Sequence, residues 1–227
     1  MIFWLFLLAC VAAGGSLLAR AGGLAFRGST LLGFLLVTLG MTTPLPLLLT
    51  RMMLASGAGG DAFIGVWDLW WARTAAAQGL FPLATNWLYY PEGTSLALHT
   101  YALTYGAASL PVQWAGALLA RDGTPPESIL FVAYNLILIA SFTLSGYFTY
   151  RLALSLTGHR TAAILAGILF AFTNYRFANT VRLHVIATEF LVLVLWAWVS
   201  LLRRPTPRGL LRFTGAGILL LYASLEY

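Results

Sequence analysis

Lysine is absent from the 227 residues and acidic side chains number only seven, so that with thirteen arginines just 9% of the chain is charged. A soluble domain carries about 25%. With 60% hydrophobic residues and a mean hydropathy of +0.84, too little charge remains to cover a water-facing surface, which excludes an ordinary soluble fold. Cysteine is nearly absent too. Cys10 is alone, which excludes an internal disulfide and any cysteine-based metal centre. The net charge of +6 is not gathered on one basic face. Its arginines stand singly or in short groups at the ends of apolar runs, which argues against nucleic acid as a partner.

What is present is a series of uncharged stretches of membrane-crossing length. Gly28 to Thr50 and Ser128 to Tyr150 are each 23 residues without a charge, against roughly 20 needed to cross the hydrocarbon core. Residues 1–19, 28–50, 129–150, 161–173, 185–202 and 209–225 are the expected spans. The expected fold is an all-α polytopic transmembrane helix bundle of about six spans, multi-pass in a bacterial inner (plasma) membrane. Residues 101–120 are ambiguous, and arginine placement decides them. If they do not cross, Arg20, Arg27, Arg151, Arg160, Arg203, Arg204, Arg208 and Arg212 share the cytoplasmic side, while Arg51, Arg73, Arg121, Arg176 and Arg182 lie outside. The external arginines then meet five external acids, Asp61, Asp68, Glu92, Asp122 and Glu127. Residues 1–27 form a hydrophobic helix and cytoplasmic turn. Residues 28–227 form the main transmembrane domain, with an external segment at 51–127 and a second external loop at 174–184. The chain ends abruptly at Leu225-Glu226-Tyr227, which leads us to expect a longer parent protein.

The external segment opens with a flexible entry, Gly57-Ala58-Gly59-Gly60-Asp61, and continues as one helix from Ala62 to Gln78, closed by Gly79 and Pro82. Phe63, Trp67, Trp70 and Trp71 fall in one apolar arc suited to the headgroup layer, with Asp61 and Asp68 on a wetter edge. Asp61 has two readings. It is a helix N-cap, or a carboxylate fixed at the membrane surface to accept a proton or hold a divalent cation. Asp68, seven residues on, reads as a solvated face residue. Tyr89-Tyr90-Pro91-Glu92-Gly93-Thr94 is a turn, either rigid and interfacial or placing Glu92 and His99 at the mouth of a site opposite Asp61.

The second external loop carries Arg176, Arg182 and His184 among two asparagines. Guanidinium groups match the oxygens of a phosphate, and snorkelling anchors are the competing reading. His184 has no HxxxH or HExxH company that would point to zinc. Glu189 lies within an apolar run, where an ionisable residue normally faces a cavity or a partner. Arg182 is the expected ion-pair partner, seven residues earlier, if Glu189 is not itself a site residue.

Gly-Gly-Asp61-Ala after an early span, the Trp-rich helix, the Tyr-Pro-Glu-Gly-Thr turn, and Tyr-Arg176 through Arg-Leu-His184 together resemble the GT-C glycosyltransferase superfamily. This group includes protein mannosyltransferases and aminoarabinose transferases. The likeness covers residues 28–227, roughly the first half of such a protein. It implies a polyprenyl-phosphate-linked sugar as lipid donor, an external acceptor hydroxyl or amine, and inversion at the anomeric carbon. Asp61 matches the family's acidic residue in the first external loop, as general base or metal contact. Arg182 and His184 fall in the second external loop, where the family has a second acid and donor-phosphate contacts, and Arg176 with Arg182 would stabilise the departing lipid phosphate. The family's second acid is missing between Asn174 and His184, and only Glu189 stands near. Two other function classes compete: a lipid or polysaccharide translocase with Glu189 on its pathway, and a non-catalytic membrane protein.

Overall fold

The computed structural model describes residues 2–20, 26–54, 60–97, 99–120 and 126–225. The Gly57–Gly59 entry, Arg121, Asp122, Glu226 and Tyr227 lie outside the described residues, as do the side chains of Arg20 and Arg27. About 75% of the chain is helical and the class is all-α. Among the described residues ten helices follow in order: α1 (Ile2–Arg20), α2 (Phe26–Met41), α3 (Gly60–Gln78), α4 (Leu103–Leu119), α5 (Ser128–Thr157), α6 (Arg160–Ala171), α7 (Asn174–Ala178), α8 (Leu183–Ile186), α9 (Thr188–Arg203) and α10 (Pro207–Ala223). A two-residue antiparallel ladder pairs Ala84–Thr85 with Thr94–Ser95.

Among the described residues three stretches are long and apolar enough to cross a membrane: Ser128–Thr157, Arg160–Ala178 and Leu183–Arg203. The expected span at 28–50 is shorter than its sequence. Helix α2 stops at Met41, and a 3-10 turn at Leu45–Leu47 follows, where Pro44 and Pro46 withhold the amides that a continuing helix needs.

The 30 residues of α5 rise about 45 Å, against a hydrocarbon core of about 30 Å. The helix therefore belongs to two layers. Its C-terminal half packs with α2 and α6 around Leu18, Phe34, Val37, Tyr150 and Ala163. At that end Arg151 lies over Trp196, 4.5 Å from the ring centroid, and Arg203 donates to the Ser155 carbonyl. Here Gly167 faces Gly146, and a Cβ on Gly167 would stand 2.6 Å from the Gly146 carbonyl oxygen. The close crossing of α5 and α6 requires glycine.

The N-terminal half of α5 carries a second core. Leu69 of α3, Tyr105 of α4, Ala133, Tyr134, Ile137 and Leu138 of α5, and Leu183 and Ile186 of α8 meet there. Residues 101–120, ambiguous in sequence, form α4, which is not among the three stretches of crossing length. Its inward stripe is Tyr105, Ser109, Gln113 and Gly116, and Gln113 donates to the Leu69 carbonyl at 2.9 Å. A polar face matched to polar partners explains why hydropathy alone could not settle this helix.

Helix α3 ends as expected, with Gly79 at φ +65°. Trp67 and Trp71 stack at 6.1 Å between centroids, and Trp71 Nε1 donates to the Pro82 carbonyl at 3.0 Å. The arc is not uniformly interfacial, however. Phe63 is exposed, whereas Trp71 is buried among Leu96 and Tyr101.

Candidate functional site

Helix α3 lies against the loop that carries α7 and α8, and a cavity of about 490 Å³ opens between them. Asp61, Ile64, Gly65 and Asp68 line it from α3, and Tyr175, Asn179, Arg182 and His184 from the loop. Offsets of three, four and seven residues put the four α3 positions on one helical face. Gly65 lets that face dock closely, since a Cβ there would stand 2.9 Å from the Tyr134 ring.

Asp61 is not the N-cap. Helix α3 begins at Gly60, so Asp61 stands within the first turn, where a carboxylate suits the positive end of the helix dipole. Its Oδ2 instead accepts from Arg182 Nε at 2.8 Å, with both side chains about half exposed (47% and 51%). The expected pairing of Arg182 with Glu189 is thereby overturned. Arg182 precedes the short helix α8 rather than extending α9, which turns it toward α3 and away from Glu189.

Asp68 is the second correction. It is only 3% exposed, and its Oδ1 finds no hydrogen-bond partner among the described residues. The edge of α3 expected to stay wet is covered by the α7–α8 loop and by the core around Tyr134. Burial pushes the Asp68 carboxyl up to about 8, so it is protonated at neutral pH. Sequence could have hinted at this, because Asp68 follows Trp67 and precedes Leu69, Trp70 and Trp71 with no charged neighbour.

Arg176 and Glu189 occupy a different environment. Arg176 is 2% and Glu189 1% exposed, and neither lines the Asp61 cavity. Arg176 Nη2 donates to Ser141 Oγ at 2.9 Å, and its guanidinium lies 4.7 Å from the centroid of the Phe142 ring. Ser141 Oγ is in turn 2.7 Å from Glu189 Oε2 and 2.9 Å from the Ile186 carbonyl, so its one proton serves one of them at a time. Tyr105 donates its hydroxyl proton to Glu189 Oε1. This cluster ties α4, α5, α7 and α9 together. Sequence singled out Arg176 and Glu189 but missed Tyr105 and Ser141, which look like ordinary helix residues.

Glu92 and His99 are not brought together. Glu92 lines an open cavity of about 760 Å³ with Trp71 and Trp87. There the Gly93 amide donates to the Tyr89 carbonyl at 2.9 Å, closing the turn over five residues rather than four. His99 and His184 line a third cavity of about 330 Å³ with Tyr101 and Tyr222. His184 and Thr100 border both this cavity and that of Asp61, so the two adjoin.

A divalent cation needs several oxygen ligands. Asp61 commits Oδ2 to Arg182, and among the described residues no three His, Cys, Asp or Glu side chains cluster closely enough to share an ion. This donor set does not fit a resident metal. No family model, no curated protein and no solved structure matches the chain.

Proposed function

We propose that this chain is a membrane glycosyltransferase that moves a sugar from a polyprenyl-phosphate donor to an acceptor on the external membrane face. Under this reading α1, α2, α5, α6, α9 and α10 are the six spans. The cavity then lies at their external end, where a lipid phosphate travels. The observation that carries the reading is the half-exposed Asp61–Arg182 pair inside that cavity. Exposed ion pairs contribute only about 0–1 kcal/mol, so stability alone gives little reason for it. A paired acid and guanidinium do suit transfer from a phosphate.

The chemistry balances with these two groups. An acceptor hydroxyl or amine attacks the anomeric carbon and loses its proton to Asp61. The bond from that carbon to the phosphate oxygen breaks, and its electron pair leaves on the lipid phosphate. Arg182 uses Nε on Asp61, while its two Nη groups hold no hydrogen bond among the described residues and can donate to the phosphate oxygens. A phosphate is a good leaving group, so alignment of donor and acceptor does most of the remaining work. Glu189, closed in by Tyr105 and Ser141, fits a structural tie better than a translocation path.

The test is transfer from polyprenyl-phosphate-linked sugars by membranes containing the protein. Asp61→Asn is expected to lower transfer about 100-fold or more. Equal rates in the two proteins would refute Asp61 as the base.

A further inference from the structure

The cavity has two unlike ends. One is the half-exposed Asp61–Arg182 pair. About 10 Å further along α3, at 1.5 Å per residue, lies Asp68, buried and with Oδ1 unpartnered among the described residues. A buried polar oxygen without a partner is costly, and an apolar side chain would fill the same space without that cost. The carboxyl faces the same cavity as Arg182, at the separation that a phosphate and the far hydroxyls of one attached sugar would need.

We infer that Asp68 reads the sugar: its carboxyl hydrogen-bonds hydroxyl groups of the glycosyl unit whose phosphate is held at Arg182. The inference rests on the transferase reading and adds a direction to it, phosphate outward and sugar inward. A protonated carboxyl offers one donor and an acceptor, which suits a polyol, whereas a carboxylate only accepts. Asp68 is therefore a specificity residue beside the base, not a second base. The titratable and charged groups facing it are Asp61 on the same helix, Arg182 and His184 from the loop, Tyr175 of α7, Tyr101 before α4, and Tyr134 of α5.

The test is binding of short-chain probes to the detergent-solubilised protein: citronellyl phosphate alone, and the same phosphate carrying glucose, mannose, galactose or arabinose. Wild type is expected to bind at least one glycosylated probe about tenfold more tightly than the bare phosphate. Asp68→Leu is expected to bring the two within about twofold while leaving the bare phosphate unchanged, and Arg182→Ala to weaken both about tenfold. Retention of the wild-type sugar preference by Asp68→Leu overturns the inference. So does a wild type that binds the bare phosphate with no preference for any sugar, although the transferase reading survives that result. Failure of wild type to bind any probe overturns the transferase reading itself. Should Asp68→Leu not fold, the near-isosteric Asp68→Asn decides. The wild-type preference is expected to change between one unit below and one unit above pH 8, and that of Asp68→Asn to stay constant across the same range. An identical pH response in the two proteins overturns the inference.

Discussion

The loop from Asn174 to Glu189 supplies charges to two places that obey different physics. Arg182 meets Asp61 in half-exposed surroundings, where water screens both and the pair is cheap to separate. Arg176 and Glu189, on the same short stretch, are fully enclosed and linked through Ser141 and Tyr105. Breaking such a buried set strands a charge. Side chains of the same types are thus available to a ligand in one place and locked as a tie between helices in the other.

That contrast is broken most severely at Glu189. Glu189→Ala leaves Arg176 buried without its nearby counter-charge and should destabilise the protein by about 3–5 kcal/mol, read as a large drop in the unfolding midpoint in detergent. Asp61→Asn should leave that midpoint within about 1 kcal/mol while abolishing most transfer. A midpoint loss of Glu189→Ala size in Asp61→Asn would erase the distinction.

Asp68 offers a subtler test. Its carboxyl is raised in the folded protein, so above the ordinary carboxylate range the unfolded chain has lost a proton that the fold still keeps. Stability should fall as pH rises from about 4 to about 8 and level off above that, by an amount on the order of a few kcal/mol. Denaturation of Asp68→Asn at the same pH values should lack this slope, and matching slopes would show that Asp68 is not buried as described. A smaller effect is expected at the other end of the molecule. Gly167→Val drives a side chain into the Gly146 backbone and should cost about 1–3 kcal/mol without altering the affinity of the cavity for a phosphate. Smallest of all is Arg182→Ala, which should change stability by less than about 1 kcal/mol, in line with a role toward ligand.

Much of the helical layout was legible because apolar runs broken by arginine and glycine mark helix ends on their own. Gly79 closes α3 as its position suggests, and α5, α6, α9 and α10 overlap the expected spans. Hydropathy left helix α4 open and only arginine placement spoke against a crossing, since its buried face is polar, with Gln113 and Tyr105 bonded to Leu69 and Glu189 far away in sequence. Of the site, Asp61, Arg182 and His184 were singled out and do meet around one cavity. Glu92 lines a different cavity, and Arg176 and Glu189 form their own buried cluster. Asp68 was misread, because helical periodicity shows which residues share an edge but not whether a distant loop will cover that edge.

The sequence by itself determined that this protein is helical, with stretches long and apolar enough to cross a membrane, because hydropathy and charge scarcity act residue by residue wherever the chain goes. It also marked the few charges worth weighing. Which charges face each other was decided only by the tertiary structure. Asp61 and Arg182 are 121 positions apart and Tyr105 and Glu189 are 84 apart. Electrostatic and hydrogen-bond energies depend on distance and burial in space, and neither is written in sequence spacing.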